Sequence, residues 1–163
     1  MTASEDRALR IQALNRSVVE EFRAGNGKVM HPRLKDALLV LLTTTGARTG
    51  QPRTTPLAYF SDGPGRIVLW ASAMAAASHP AWYHNLTANP QVTIELGTDA
   101  GAVGRFDATA ATATGAERDR LFGALAADRP DIAAHQDQTT REIPLVVVRY
   151  QPREEAPERL GAS

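Results

Sequence analysis

Apolar and polar positions change period several times along the chain, and each change marks an element. From Thr2 to Arg23, apolar residues recur at Ala8, Ile11, Leu14, Val18 and Phe22, steps of three and four that put one stripe on a helix. Thr2-x-x-Glu5 matches a capping box at the start, and Gly25-Asn26-Gly27 ends the pattern. Leu38 to Leu42 is an unbroken apolar run that predicts a buried strand, with a buried helical segment as the alternative on periodicity alone. Three threonines follow, then the glycine-bracketed turn Gly46-Ala47-Arg48-Thr49-Gly50. Arg53 to Phe60 is a second extended run, so this stretch predicts strand, basic turn, strand.

Asp62-Gly63-Pro64-Gly65 is a turn signal, and Arg66 to Ser72 a strand. His79-Pro80 opens a short helix that stops at Asn89-Pro90. Gln91 to Leu96 alternates strictly, with Val92, Ile94 and Leu96 on one face, which sends Glu95 outward. Ala102 to Thr112 is a further strand. Thr114-x-x-Glu117 is a second capping box, opening a helix to about Ala127. Asp131 to Gln138 predicts another helix, and Ile143 to Tyr150 a buried strand.

Strands that follow one another by turns, without regular helical crossovers, predict an α+β fold that is mainly β. Its antiparallel sheet closes or half-closes into a barrel with helices at its ends. The expected organisation is a helix and connector over residues 1–36, a barrel domain over 37–150 and a mobile tail over 151–163.

Composition narrows the function classes. The 163 residues suit one domain, and 43% apolar with 22% charged is ordinary for a globular protein. Lys+Arg and Asp+Glu number 18 each, which argues against bulk binding to nucleic acid. With no cysteine, disulfides and thiolate catalysis are excluded. No apolar stretch is long enough to span a bilayer, and Glu5, Asp6, Arg7 and Arg10 interrupt any signal-peptide pattern. These features predict a cytoplasmic protein, with peripheral membrane contact through the first helix left open.

The turn at Gly46–Gly50 has the parts of an anion site: glycines that let amides approach a ligand, the planar fork of Arg48, and hydroxyls from Thr43, Thr44, Thr45 and Thr49. An ordinary hairpin loop with a solvated arginine fits the spacing equally well. The turn is not a phosphate-binding loop of the Gly-Lys-Ser/Thr type. His31, His79, His84 and His135 show no metal-ligand spacing, and there is no nucleophile elbow or dinucleotide fingerprint. A two-carboxylate hydrolase stays open on sequence grounds, although no carboxylate but Glu95 stands in a suggestive apolar setting; if the chain is an enzyme, a bound cofactor is the expected source of its reactivity. In the stretch Ser78 to Pro90, Trp82 and Leu86 share a helix face while Tyr83 and Asn85 point elsewhere. That reads as a core tryptophan or as a wall against a flat heterocycle, and the two are compatible.

The segments LLTTTGARTGQPRTTPL, a strand ending Ala71-Ser72, HPAWYHNLTANPQVTIE and REIPLVVV, in this order, resemble the deazaflavin (coenzyme F420)-dependent nitroreductase and quinone reductase family. The resemblance implies a split β-barrel of the flavin-reductase/FMN-binding type. It also implies transfer of a hydride from reduced F420 to a small acceptor: a quinone, a nitroaromatic or an activated enone. By motif position Arg48 and Thr49 would hold the cofactor's phosphate and glutamate tail, and Gln51 would close the tip. Arg53, Thr54, Thr55, Pro56 and Leu57 would line the deazaflavin's edge. Ala71 and Ser72 would meet the ring or ribityl chain, and Ala81, Trp82, Tyr83 and Asn85 would complete the wall. FMN is the disfavoured cofactor, and a monomer or a homodimer is expected.

The chain also departs from the family pattern. Ala47 precedes a single Arg48 where two adjacent basic residues are common, and Ala73 follows Ser72 where lysine is common. Either affinity for the anionic tail is weaker or Arg53 and Arg66 compensate. Where relatives carry tyrosines over the acceptor pocket, this chain has Arg129, Ile132 and His135, with His135 the candidate proton donor. The alternative reading is a non-catalytic module that binds F420, another flavin or a lipid-like ligand.

Overall fold

The computed structural model describes residues 2–31, 34, 37–72 and 78–152. Most of the expected tail, Pro32 of the connector and Ala73 lie outside the described residues. The first helix, α1, runs Ala3–Ala24. Its capping box is formed as predicted: Thr2 Oγ1 accepts from the Glu5 amide at 3.0 Å, and Glu5 Oε1 accepts from the Thr2 amide at 2.9 Å.

Among the described residues seven strands follow: β1 (Leu39–Thr45), β2 (Pro52–Ala58), β3 (Phe60–Ser61), β4 (Arg66–Trp70), β5 (Gln91–Leu96), β6 (Gly104–Thr112) and β7 (Leu145–Tyr150). They form one sheet in the order β2-β1-β5-β6-β7-β4-β3, and the registered pairs are antiparallel. The sheet is curled into a half-barrel. Val40 and Leu42 of β1 share one buried cluster with Ile67 and Leu69 of β4, although three strands separate β1 from β4 in the sheet. Helix α2 (Ala81–Ala88) inserts Trp82 and Leu86 into the same cluster and so plugs the concave side.

The other helices lie on the outer face rather than at the barrel ends, and the strand sequences explain why. β1 and β7 are apolar at successive positions, so both of their faces need cover. Helix α3 (Gly115–Asp128) covers Val68, Leu145 and Val147 with Leu121 and Leu125. Helix α4 (Pro130–Ala133) and a 3-10 turn (Ala134–Gln138) continue from it, a shorter and broken version of the helix expected there. Helix α1 covers Leu39 and Leu41 with Val18 and Phe22.

Three local expectations are corrected. The apolar stripe of α1 is only half used: Val18 and Phe22 are buried against Leu39 and Leu41, while Ile11 and Leu14 remain 49% and 43% exposed. The second capping box does not form. Thr114 makes no side-chain cap, and Glu117 is drawn instead to Arg66 Nη2 at 3.1 Å. Glu95 faces away from the concave core as alternation requires, yet it is buried at 5% exposure, because α1 lies over that face. Arg23 meets it with two bonds, Nε to Oε1 at 2.9 Å and Nη2 to Oε2 at 2.8 Å.

The end of α1 is fastened a second time. The Asn26 side chain accepts from the Thr98 amide and donates to the Thr98 carbonyl, at 2.9 and 2.8 Å. Gly97 lies so close to the Asn26 carbonyl that a Cβ there would strike backbone.

Candidate functional site

The β1–β2 hairpin carries the first wall of a groove. Its register runs from Leu39 opposite Ala58 to Thr45 opposite Pro52, leaving residues 46–51 as the tip. The tip is closed by its own bonds: the Gly46 amide donates to the Gln51 carbonyl at 2.8 Å, the Gly50 amide to the Gly46 carbonyl at 2.9 Å, and the Gln51 amide to Thr49 Oγ1 at 3.2 Å. Gly50 sits at φ +71°, a conformation that favours glycine.

Asn85 of α2 completes the tip. Its Oδ1 accepts from the Ala47 amide at 2.9 Å, and its Nδ2 donates to Thr44 Oγ1 at 3.2 Å. Four tip amides are thus satisfied within the protein, so the expected cradle of backbone N–H groups is mostly spent on the turn itself. What the tip presents is the exposed Arg48 side chain. Thr43 and Thr54 are spent on each other, with hydroxyls 2.8 Å apart across the hairpin.

The groove beside this tip has a volume of about 1300 Å³, above the usual ~300–1,000 Å³ of a small-molecule pocket. Of the residues expected from sequence, Arg48, Thr49, Arg53, Thr54, Thr55, Ala81, Trp82 and Asn85 line it together. The others stand elsewhere. Gln51 is exposed, and Pro56 and Leu57 lie further along β2, with Leu57 packed on the concave core. Tyr83 turns away to bond Thr112 Oγ1 at 2.9 Å. Ala71 is wholly buried in the core, and the buried Ser72 bonds His135 Nδ1 at 3.1 Å.

The expected acceptor residues form no part of this groove. Arg129 pairs with Asp131 at 3.1 Å, and Ile132 packs against the α3 cluster. Arg66 is not a substitute cation either, since it is held by Asp62 and Glu117. Near Ser72, Arg141 ties the end of β4 to the start of α2. Its Nη2 donates to the carbonyls of Ala71 and Ser72, at 3.0 and 2.7 Å, and its Nη1 to His79 Nδ1 at 2.8 Å. Burial, then the charges of Arg141 and His84, hold His79 below the usual imidazole range, so the neutral ring accepts from Arg141.

The second wall was missed by sequence reasoning. It is α1, through Gln12, Asn15, Arg16, Val19, Glu20 and Arg23. These positions recur at steps of three and four, the only sequence signal, and polar residues on a helix ordinarily mean a solvated face. Across both walls stand four arginines, Arg16, Arg23, Arg48 and Arg53, against the carboxylate of Glu20. Trp82 also lines the groove, although it is 8% exposed and packed in the concave core, edge-on to Tyr83 with centroids 6.4 Å apart. A donor set of guanidinium groups and hydroxyls with one aromatic floor fits a ligand that joins a flat ring to an anionic tail. Among the described residues no group of side chains could hold a metal ion, and no helix is long and apolar enough to cross a membrane.

Comparison with known proteins identifies the family. The model of the F420H(2)-dependent quinone reductase family matches residues 14–150. An F420H(2)-dependent quinone reductase of Mycobacterium tuberculosis is 37% identical over 130 residues, covering 78% of this chain and 83% of that protein. The solved structure of an F420-H2 dependent reductase superposes with a TM-score of 0.58 at 35% identity, covering 68% of this chain and 92% of the other. A second solved structure, described as a domain-swapped dimer, gives 0.61 at 30% identity over 88% and 98% of the two chains. The fold is a split barrel, and the chain belongs to the F420H(2)-dependent quinone reductase family, which makes it an oxidoreductase working with coenzyme F420.

Proposed function

We propose that this chain reduces a quinone with F420 held in the groove between α1, the β1–β2 tip and α2. The observation that carries the reading is the arginine-lined groove at the Gly46–Gly50 turn, within the stretch that matches the family. Reduced deazaflavin, when bound, supplies a hydride. The residues of the chain bind, orient and exclude water. Arg48 and Arg53 present planar forks to phosphate and carboxylate groups. Thr49 and Thr55 offer hydroxyls beside them. Ala81 and Trp82 form the apolar floor that keeps water from one side of a flat ring.

Asn85 holds the tip through its bonds to Ala47 and Thr44, and one N–H and one lone pair of its amide remain for the groove it lines. None of these side chains needs to form a covalent bond, so catalysis rests on placement. Nitroaromatics and activated enones are secondary acceptors in this reading. Arg129, Ile132 and His135, set apart from the groove, are not the tyrosines that nitroreductases of the family carry.

The test is a fluorescence titration of the purified protein with F420, with FMN as control, followed by turnover of menadione with reduced F420. Binding that prefers F420 and supports turnover is expected. Preference for FMN, or binding without turnover of any quinone, would overturn the reading. Arg48→Ala should weaken F420 binding by about 1.5–3 kcal/mol, the worth of a charge-assisted contact.

A further inference from the structure

Helix α1 has two working faces. Val18 and Phe22 are buried against β1. About 100° around the helix, Gln12, Asn15, Arg16, Val19 and Arg23 face the groove. Of the two arginines on that face, Arg23 spends Nε and Nη2 on Glu95. Arg16 is exposed, and no described side chain pairs with it. The helix is fastened at its C-terminal end, through Asn26 on Thr98 and Arg23 on Glu95, so Arg16 is carried two turns from a fixed point. On the opposite wall Ala47 stands beside Arg48, so the tip contributes a single cation.

Resting on the proposed F420 reading, we infer that α1 forms part of the cofactor site and that Arg16 binds the anionic phosphate–glutamate tail, making up for cations absent from the glycine turn. Arg48 lines the same groove from the hairpin tip, so the two arginines would act on one ligand. A tail carrying several negative charges crosses between two guanidinium forks on separate elements, each offering bidentate bonds to phosphate or carboxylate. Glu20, the carboxylate on the same wall, opposes that attraction.

The experiment compares the full-length protein with Arg16→Ala and with Arg10→Ala. Arg10 is also exposed on α1 but does not line the groove. Each is titrated with F420 and with the deazaflavin riboside that lacks phosphate and glutamates, at several salt concentrations. Thermal unfolding confirms that each variant is folded. Arg16→Ala is expected to weaken F420 binding about tenfold, to leave the tail-less analogue unaffected, and to flatten the dependence of affinity on salt. Arg10→Ala is expected to change neither ligand.

Unchanged F420 affinity in Arg16→Ala would overturn the inference while the cofactor reading stands. Equal losses in Arg10→Ala and Arg16→Ala would show a diffuse charge effect and overturn it as well. Failure of the unaltered protein to bind F420 would remove both together.

Discussion

Arg23→Ala should destabilise the fold out of proportion to a surface ion pair. Glu95 sits opposite Leu41 in the β1–β5 register, beneath α1, with its side chain 7% exposed. Arg23 reaches it from a position 47% exposed. A solvated pair would be worth about 0–1 kcal/mol, and stranding a fully buried charge costs about 3–5 kcal/mol. Here the carboxylate is buried and the guanidinium half in water, so a loss of about 1.5–3 kcal/mol is expected. Arg105, with Nη1 3.8 Å from Glu95, is too far to replace two bonds below 3 Å. Urea unfolding should show a lower midpoint at unchanged slope, and the melting temperature should fall by roughly 4–10 °C for a chain of this size. If the cost is an unpaired buried charge, Arg23→Ala with Glu95→Gln should be more stable than Arg23→Ala alone by at least ~1 kcal/mol. A single variant within ~0.5 kcal/mol of the parent, or a double variant no better than the single, would refute the reasoning.

Gly97→Ala should cost at least ~2 kcal/mol, read by urea unfolding, because its Cβ would meet the Asn26 backbone carbonyl and lift the end of α1 from the sheet. A parent-like midpoint would mean that the contact yields freely. Asn85→Ala should lower stability by ~1–2 kcal/mol, since the buried Thr44 hydroxyl loses its partner, and it should weaken F420 binding by loosening the tip. Asn85→Asp can still accept from Ala47 but places a carboxylate among the arginines, so it should harm binding more than stability; the two titrations side by side decide this. His79 is held below its ordinary value near 6.5, so the unfolded chain takes up its proton first on acidification. Its contribution is therefore complete above about pH 7 and lost as pH falls through the window below 6.5. His79→Gln should flatten the stability profile between pH 7 and 5, and an unaltered slope would exclude His79 as its source.

The elements that depend on near neighbours were legible before any coordinates. The Thr2–Glu5 box, the β1–β2 hairpin about its glycine turn and the alternation of β5 are set within a few residues, where propensity and periodicity act. The unbroken apolar runs of β1 and β7 predicted buried strands, with a helical segment left open for β1, and the structure covers both faces of each.

Which element provides the cover is a non-local matter. Alternation correctly sent Glu95 off the concave face, but only α1 returning over β1 makes that place a buried one with an arginine waiting. The same return turns Gln12, Asn15 and Arg16, unremarkable as polar residues on a helix, into the second wall of the groove. Thr114 and Glu117 carry the letters of a capping box, yet Arg66 from a distant strand outcompetes the helix end for the carboxylate. Asn85 lines the groove as its motif position suggested, but its second task, bonding Ala47 and Thr44 to hold the tip, depends on the hairpin folding back on α2. Short-range chemistry decides what each segment becomes. The partners that satisfy its polar groups are chosen by which surfaces the packed sheet and helices bring within a few ångströms.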